Sequence, residues 1–365
     1  MKIAHLTSAH PVTDTRIFHK ECKTLADAGH EIVLVACHDR DEVVDGIRIR
    51  AVPAPRTRLE RMFRTTWRVA RVALQEHADI YHFHDPELIP AGLFFLLKGK
   101  RVIYDVHEDV SEDILLRFWI PRPARHILSK LFGLLEKFAV KRFTGVIAAT
   151  PHIRDKLLPG NSKTIAIRNY PIAKELTDPG SSWNAKQRVV CYVGGISRER
   201  GIIELVDSLP QAGTRLLLAG IISEPGLYEQ LKSMPGWKMV DALGFIGRDE
   251  VSKVLNRSLA GLVTLHATPK HVYALPVKMF EYMSAGIPVI ASNFPLWREI
   301  IEDNQCGLCV NPTNPEEIAG AIRYIVENPE HAQEMGRNGR RAVLEKFSWE
   351  TEARRLISLY ESLSQ

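Results

Sequence analysis

Short apolar segments alternate along the chain with longer segments whose apolar residues recur at helical spacing. A helix over Arg16–Ala28 is predicted to end at Gly29. The strand segments of the first half are Lys2–Ser8, Glu31–Cys37, Gly46–Val52, Asp79–Phe83, Arg101–Val106 and Gly145–Ala149. Strands that alternate with helices in this way predict a parallel sheet with helices on both faces.

The alternation begins again after Tyr170–Lys186, which we interpret as a hinge because it is rich in turn-forming residues. Those residues are Pro171, Pro179, Gly180, Ser181 and Ser182. Beyond a helix over Gly201–Leu209, the strand segments of this half are Arg188–Val193, Arg215–Ala219, Leu262–Leu265, Pro288–Ser292 and Gly307–Val310.

A chain of 365 residues also exceeds what one hydrophobic core usually supports. We therefore expect an α/β fold with two Rossmann-like, doubly wound domains facing a central cleft. The expected domains span residues 1–170 and 171–345, and a helix in 346–365 crosses back to the first.

Composition places the chain among ordinary globular enzymes, with 45% hydrophobic and 25% charged residues. No apolar run approaches the roughly 18 residues of a membrane-spanning helix. The chain enters a strand directly after Lys2 rather than through a signal peptide. Its five scattered cysteines fit a reducing compartment better than a disulfide framework. These features together favour a cytoplasmic protein.

A glycine pair follows the strand Arg188–Val193, and a helix begins shortly after it. The intervening sequence contains Gly194, Gly195, Arg198 and Arg200. Glycine at a strand end allows the backbone to approach a phosphate, and arginine at the start of a helix adds positive charge. A Gly-Gly turn with solvated arginines is also common elsewhere, so this motif alone is a weak indication of a phosphate site.

A second motif lies in the helix that precedes the strand at Pro288. Lys278 and Glu281 are one turn apart near its N-terminal end, so they share a face. The lysine can bind a diphosphate, and the carboxylate can accept hydrogen bonds from both hydroxyls of a ribose. An ordinary ion pair on a surface helix is the competing interpretation.

From Lys2 to about Leu363 the chain resembles the family-four retaining glycosyltransferases (group 1), which have the GT-B fold. The segment Lys278–Ser292 is very similar to the most recognisable segment of that family. Less specific similar segments are Asp14–Lys20, His82–Leu88, Tyr104–Asp109, Gly244–Gly247 and Phe347–Trp349.

The resemblance implies a nucleotide-sugar donor, with UDP favoured over GDP, and no additional cofactor. Arg200 and Lys278 would neutralise the diphosphate, and Glu281 would bind the ribose. His107 would contact the transferred sugar, although a strand-end histidine bonded to a loop carbonyl is the alternative. Other implied donor-site residues are Gly194, Gly195, Arg198, Phe245, Ile246, Gly247 and Tyr273. The implied acceptor-side residues are Asp14, Arg16, His84 and Asp85.

Two departures from the family pattern affect the donor site. The family usually has two glutamates eight positions apart, but here Tyr273 occupies the first position and Glu281 the second. Gly195 stands where the family often has an arginine, and Arg198 and Arg16 are candidates to supply the missing charge. The identity of the donor sugar therefore remains open.

Histidines two positions apart on a strand, His82 and His84, share a face and have the spacing of a metal pair. A working site needs a third or fourth ligand, and along the sequence Asp85 is the one that lies near. We therefore expect no metal there. The Asp-x-Asp sequence at Asp39 and Asp41 is remote from the donor motifs, so we also expect metal-independent transfer.

Two functions other than glycosyl transfer remain open at this point. A sugar-nucleotide epimerase on the same fold would need no acceptor. A non-catalytic nucleotide-sugar-binding or scaffold protein is suggested by Tyr273, although retention of Arg200, Lys278 and Glu281 argues against a dead site. For the leading hypothesis, a retaining reaction lets the leaving phosphate deprotonate the acceptor hydroxyl.

Positive charge is concentrated in the first half of the chain. Residues 1–170 carry 27 Lys and Arg against 20 Asp and Glu, a net charge of +7, whereas the remainder carries 21 against 23, a net charge of −2. Arg56–Leu74 and Arg117–Arg142 combine these basic residues with aromatic and apolar ones, which favours an anionic membrane surface. A lipid-linked acceptor in surface polysaccharide synthesis at the inner face of the plasma membrane would follow. The alternative is a solvated helix that packs its apolar stripe on the sheet. Nucleic acid is not expected, because no binding module is recognisable.

Overall fold

A computed structural model describes residues 1–117, 120–173, 175–176 and 183–364. The chain divides into two compact units. Unit 1 comprises Met1–Asn169 and Thr351–Gln365, and unit 2 comprises Tyr170–Glu350. Two groups of residues named above, Pro179–Ser182 of the predicted hinge and Phe118–Trp119 of the second basic segment, lie outside the described residues.

Unit 1 contains an eight-stranded sheet in the order β3-β4-β2-β1-β5-β6-β7-β8. All neighbouring pairs are parallel except β3 and β4. The strands are β1 (Lys2–Leu6), β2 (Glu31–Cys37), β3 (Glu42–Val44), β4 (Ile47–Val52), β5 (Ile80–Phe83), β6 (Arg101–Val106), β7 (Gly145–Ala148) and β8 (Thr164–Ala166). The central strands are buried on both faces because helices cover both sides of the sheet, as a parallel arrangement requires.

The helices of unit 1 connect these strands. They are α1 (Lys23–Asp27), α2 (Arg58–Glu60), α3 (Thr66–Gln75), α4 (Ile89–Leu97), α5 (Val110–Leu116), α6 (Arg122–Val140) and α7 (Pro151–Leu157). The helix predicted over Arg16–Ala28 divides into a π-helical segment, Thr15–Cys22, and α1. Asp14 caps this segment, since its carboxylate accepts hydrogen bonds from the backbone N–H groups of Arg16 and Ile17.

Unit 2 contains a six-stranded parallel sheet in the order β11-β10-β9-β12-β13-β14. Its strands are β9 (Val189–Val193), β10 (Arg215–Ala219), β11 (Val240–Gly244), β12 (Ala260–Val263), β13 (Val289–Ser292) and β14 (Gly307–Val310). Its helices are α8 (Ile202–Ala212), α9 (Leu227–Ser233), α10 (Arg248–Arg257), α11 (Pro269–Val272), α12 (Val277–Ser284), α13 (Pro295–Asp303), α14 (Pro315–Glu327) and α15 (Pro329–Lys346). Both sheets are mostly parallel, so the α/β fold class expected from the sequence is confirmed.

The last helix, α16 (Trp349–Ser364), packs in unit 1 from Thr351 onward. Glu352 is fully buried there and binds both the backbone N–H and the guanidinium of Arg168. Further along the helix, the Tyr360 hydroxyl lies 2.7 Å from Nδ1 of His82. The C-terminal residues are thus an integral part of the core of unit 1.

Parallel strands present their carboxyl ends at one edge of a sheet, where ligand sites of doubly wound folds form. In unit 1 the loops after Leu6, Phe83 and Val106 lie at this edge. In unit 2 the corresponding loops follow Val193 and Gly244. Every candidate loop named from the sequence therefore falls at the correct edge of its own sheet.

Candidate active site

The glycine loop after β9 lies against the side chain of Lys278. A Cβ atom at Gly194 would lie 3.1 Å from the lysine Nζ, and the φ of +127° at Gly194 is itself unfavourable for other residues. Gly220, at φ +151°, lets the loop after β10 approach equally closely, because a Cβ there would lie 1.8 Å from the Gly194 carbonyl oxygen. Because both residues are glycines, the loop after β9 can pack against the Lys278 ammonium, and the loop after β10 can pack against the loop after β9.

The ammonium of Lys278 is buried against an aromatic ring. Its Nζ lies 3.5 Å from the centroid of the Tyr192 ring and has no hydrogen-bond partner within the described part of the chain. Burial, followed by the positive charge of Arg200, lowers the pKa of Lys278 well below its usual value. A group bearing negative charge would relieve both effects, since it would pair with the ammonium and favour its charged form.

The two arginines of the glycine loop differ in their contacts. Arg198 forms an ion pair with Glu224 at 2.9 Å and a second bond from its backbone N–H to the same carboxylate. Arg200 donates a long bond of 3.4 Å to the Gly195 carbonyl oxygen. Because Glu224 compensates Arg198, Arg200 is the cation of this loop that remains available beside Lys278.

Glu281 lies on the same face of α12 as Lys278, and both side chains are largely buried. Arg248, the first residue of α10, donates a hydrogen bond of 2.6 Å to the Glu281 carboxylate. The same guanidinium binds Glu175 through two bonds, of 2.8 and 2.9 Å. Burial tends to lower the pKa of Arg248, but its bonds to Glu175 and Glu281 raise it overall. Arg248 thus fixes the orientation of the carboxylate that the resemblance assigns to the ribose.

A cavity of about 230 Å³ lies at the ends of β9, β10 and β11. It is lined by Val193, Gly194, Gly195, Ala219, Gly220, Ile221, Phe245, Ile246 and Val251. Phe245 is 80% exposed, and Gly247 caps α10 beside it. Tyr273 is half exposed at the C-terminal end of α11. Of the residues implied for the donor site, Phe245 and Ile246 therefore line a largely apolar pocket next to the glycine loop, whereas Gly247 and Tyr273 are not among its lining residues.

In unit 1 the residues at the carboxyl edge converge on Asp105. The guanidinium of Arg16 donates two hydrogen bonds to the Asp105 carboxylate, at 3.0 and 2.8 Å. His107 Nε2 lies 2.7 Å and His84 Nδ1 3.1 Å from Asp105 Oδ2. Burial alone would raise the pKa of Asp105, but Arg16 and His107 outweigh it and hold that pKa well below its usual value. His107 is thus oriented by a carboxylate, which replaces the loop carbonyl considered as an alternative.

Arg16 is enclosed by this network. It is 4% exposed, and its remaining Nη1 donates to the Ile167 carbonyl oxygen at 2.9 Å. Each of its three guanidinium nitrogens thus donates a hydrogen bond inside unit 1, so Arg16 holds Asp105 in position. The suggestion that Arg16 supplies the charge missing after β9 stays a prediction.

His10, which sequence analysis did not single out, lies between the two acceptor-side carboxylates. Its ring nitrogens are 3.4 Å from Asp14 and 3.4 Å from Asp85, and its ring centroid is 5.3 Å from that of His107. Burial tends to lower the pKa of His10, but Asp14 and Asp85 raise it overall. Asp85 itself is buried and accepts hydrogen bonds from Thr7 and Ser8. The position of His10 just beyond β1 was the signal that could have identified it.

Two family models match the chain. The model of glycosyl transferases group 1 matches residues 174–342, and that of the glycosyl transferase 4-like domain matches residues 15–162. The chain belongs to the group 1 glycosyltransferases. The first match contains the glycine loop, Lys278 and Glu281, and the second contains Asp105 and His107.

Individual relatives agree with this assignment. The chain is 22% identical to a glycogen synthase of Mycobacterium tuberculosis, over 94% of this chain and 90% of the relative. A solved sucrose-phosphate synthase from Thermosynechococcus elongatus is structurally similar, with a TM-score of 0.78 at 21% identity. The match covers 99% of this chain and 98% of the synthase chain. HepE from Anabaena, solved with UDP and glucose, has a TM-score of 0.75 at 16% identity over 99% and 100% of the two chains. These structural likenesses establish the GT-B fold.

Proposed function

We propose that this glycosyltransferase transfers a hexose, with retention of anomeric configuration, from a nucleotide-sugar to a glycan or lipid-linked acceptor of a surface polysaccharide. UDP is the favoured nucleotide and GDP the second choice. The observation that carries the proposal is the buried ammonium of Lys278 beside the Gly194 backbone, with Arg200 and Glu281 close by.

The donor is proposed to lie along the carboxyl edge of unit 2. Its diphosphate would pair with Lys278 and Arg200, and its ribose would bind Glu281. The base would enter the cavity beside Phe245 and Ile246. The presence of UDP in the structurally similar HepE supports a uridine nucleotide.

The catalytic contribution of these residues is electrostatic. Breaking the anomeric C–O bond places positive charge on the sugar and negative charge on the departing diphosphate. Cations already fixed at the diphosphate stabilise that charge, and removal of one such group typically costs about 10²–10³ in rate. Lys278 and Arg200 would perform the neutralising role of a divalent cation, so we propose transfer that needs no metal at the diphosphate. His107 would contact the sugar, and the leaving phosphate would take the proton of the acceptor hydroxyl.

Stereochemistry tests the proposed reaction. UDP-α-glucose and GDP-α-mannose are incubated with the enzyme without a sugar acceptor, so that water takes the sugar, and the anomer of the free sugar first released is read by NMR before mutarotation. An α product is expected. A β product would overturn retention, and release of an epimerised nucleotide-sugar would overturn transfer itself.

Membrane association of unit 1 is part of the proposal, because α6 has an inverted burial pattern. The helix buries Glu136, Ala139 and Val140 and packs Phe132 against the core, whereas six other large apolar side chains face solvent. These exposed residues are Ile127, Leu128, Leu131, Leu134, Leu135 and Phe138. A helix that packs its apolar stripe on the sheet would show the opposite pattern. The exposed basic residues Arg122, Lys130, Lys137, Lys141 and Arg142 flank this surface, as expected for contact with anionic lipid.

The N-terminal part of the first basic segment, Arg56–Leu74, also exposes large apolar side chains. Leu59, Met62, Phe63 and Trp67 are exposed, while α3 packs Val69, Ala70 and Ala73 into the core. None of the helices in the described ranges is long and apolar enough to cross a bilayer. We therefore propose binding at the membrane surface.

Liposome sedimentation tests this association. Wild-type protein is expected to bind vesicles containing phosphatidylglycerol and to dissociate as salt increases. Leu131→Glu combined with Leu134→Glu should abolish binding. Leu97→Glu, at an exposed leucine on α4, is the matched control and should leave binding unchanged. Equal binding to neutral vesicles, or retention by the double variant, would contradict the proposal.

A further inference from the structure

A cluster of three histidines and one glutamate lies inside unit 1, one layer below the network around Asp105. The four residues are His5 on β1, Glu21 in the π-helical segment, His82 on β5 and His84 directly after β5. All four are buried, with exposures between 0 and 2%. The rings of His5 and His82 have centroids 4.4 Å apart, and those of His82 and His84 are 4.6 Å apart.

Several polar atoms of this cluster are unsatisfied. His82 Nε2 and both carboxylate oxygens of Glu21 have no hydrogen-bond partner among the residues that the structure describes. Arg16 Nε lies 3.1 Å from Glu21 Oε1, but its N–H is directed at Asp105. Two buried carboxylates, those of Glu21 and Asp105, therefore share one guanidinium. Buried polar atoms normally have partners, so this concentration of exceptions points to a missing cation.

The spacing of the four residues suits a small tetrahedral ion. One ligand atom from each residue lies within 4.8 Å of the others. Two of the separations are 3.0 Å, between His5 Nδ1 and His84 Nε2, and 3.8 Å, between His82 Nε2 and Glu21 Oε2. Zinc bonds of about 2.0–2.1 Å in a tetrahedron give ligand separations of roughly 3.3–3.4 Å. These two observed values bracket that range, and all of the separations lie within 4.8 Å.

The outer contacts of two of the histidines match those of metal ligands. Ligating histidines usually direct their second ring nitrogen at a carboxylate or another oxygen, which fixes the ring orientation. His84 Nδ1 lies 3.1 Å from Asp105 Oδ2, and His82 Nδ1 lies 2.7 Å from the Tyr360 hydroxyl. His82 Nε2 is thereby left without a partner among the described residues, and His84 Nε2 faces His5 Nδ1 at 3.0 Å.

We propose that His5, Glu21, His82 and His84 bind one Zn²⁺ ion as a closed, four-coordinate structural site. Three imidazoles and a carboxylate favour zinc over calcium or magnesium, which prefer oxygen ligands. The ion would cross-link β1, the π-helical segment and β5, and through Tyr360 it would also support α16. Because His84 contacts Asp105, the same ion would set the geometry in which Asp105 holds His107.

The ligands come from three separated parts of the chain, which explains why the metal-like spacing of His82 and His84 had no further ligands close to it in the sequence. The expectation of no metal at His82 and His84 rested on the lack of further ligands nearby in sequence. The fold supplies them from β1 and from the segment after Asp14.

The test is the zinc content of the full-length, tag-free protein, measured by inductively coupled plasma mass spectrometry after growth with zinc and extensive dialysis. About one zinc per chain is expected. Glu21→Gln and His82→Gln should each lose most of it. His38→Gln, at a histidine paired with Glu42 outside the cluster, is the matched control and should retain it. His107→Gln should also retain it, which separates this site from the neighbouring group of His84, Asp105 and His107.

A second measurement uses the wild-type protein alone, so that it tests the proposal even where the variants fail to fold. Wild-type protein refolded with Co²⁺ should show the intense visible absorption of tetrahedral cobalt, and a zinc chelator should lower the melting temperature of the zinc-loaded protein. Wild-type protein without stoichiometric zinc and without a chelator effect would overturn the proposal. Zinc retained in Glu21→Gln but lost in His107→Gln would overturn it as well.

Discussion

The two units use charge in opposite ways at the carboxyl edges of their sheets. In unit 1, Arg16, Asp105 and His107 satisfy one another, with bonds of 2.7–3.0 Å around the Asp105 carboxylate. In unit 2, Lys278 Nζ is buried against the Tyr192 ring, and no hydrogen-bond partner for it occurs in the described ranges. The Asp105 carboxylate is thus paired with a cation and a histidine of its own unit, whereas the Lys278 ammonium has no hydrogen-bonded partner among the described residues.

The difference indicates two roles: the network in unit 1 fixes the positions of side chains, and the buried cation in unit 2 favours the binding of an anion. A network that is complete by itself holds its side chains in one arrangement whether or not a substrate is present. A buried cation without a partner costs free energy that a bound anion can recover. Under the proposed function, unit 1 would orient groups around the acceptor and sugar, and unit 2 would bind the diphosphate. The predictions that follow test this contrast.

The largest expected effect is the loss of the central carboxylate of unit 1. Asp105→Asn leaves the Arg16 guanidinium buried with its main partner removed, and such changes typically cost about 3–5 kcal/mol. Denaturant unfolding followed by fluorescence measures the loss. Asp241→Asn, which removes the exposed partner of Arg215, is the control and should change stability little. Similar losses in the two variants would show that the Asp105 network contributes no more than a surface pair.

Lys278→Met should stabilise the folded protein, whereas Asp105→Asn should destabilise it. The substitution keeps an unbranched side chain beside Tyr192 but removes the uncompensated charge, so the protein should become more stable by about 1–3 kcal/mol. Thermal unfolding without nucleotide measures this gain. Lys232→Met on the exposed face of α9 should give no comparable gain. A Lys278→Met protein less stable than wild type would mean that the ammonium is compensated in the folded state.

Glu136 makes unit 1 sensitive to pH. Burial raises the pKa of Glu136 to about 7, with opposing influence from Lys156 and smaller contributions from Asp109 and Tyr104. Because its pKa is raised on folding, the stabilising contribution is complete below the unfolded value near 4.5 and is lost as pH rises through 7. Glu136→Gln should therefore nearly match wild type at pH 4.5 and below, and exceed it by about 3 kcal/mol at pH 8. A pH-independent difference in unfolding free energy would contradict this assignment.

Arg248 should affect nucleotide binding selectively. Arg248→Ala frees the Glu281 carboxylate from its fixed orientation, so affinity for UDP should fall about tenfold, equivalent to roughly 1.4 kcal/mol. Affinity for inorganic pyrophosphate, which has no ribose, should change little. Calorimetric titration with both ligands makes the comparison. Equal losses for the two would show that Arg248 acts on the diphosphate rather than through Glu281.

Much of the fold could be predicted from apolar periodicity, and the failures have physical causes. The strands Glu31–Cys37, Arg101–Val106, Arg215–Ala219 and Gly307–Val310 were predicted with the bounds observed. Strands β3 and β8 were missed because each has three residues. Strand β11 was missed because Asp241 interrupts its short apolar run and most of its residues are exposed. Periodicity detects burial, so it detects edge strands poorly.

The candidate site was predictable where its residues are close in sequence. Lys278 and Glu281 are one helical turn apart, and their motif is specific. The contacts of Asp105 with Arg16, and of Glu281 with Arg248, join residues 89 and 33 positions apart. No local pattern encodes such pairs, because the topology of the sheet brings them together.

The measurement that tests the central claim most directly is a thermal-shift screen of the wild-type protein, Lys278→Met and Glu281→Ala against UDP, GDP and ADP. A nucleotide at 100 times its dissociation constant stabilises its site by about 2.7 kcal/mol, which a melting curve readily detects. We expect a shift with UDP in the wild-type protein and a much smaller one in both variants. A shift that survives in Lys278→Met, or the absence of any shift in the wild type, would contradict the assignment of the diphosphate to this lysine.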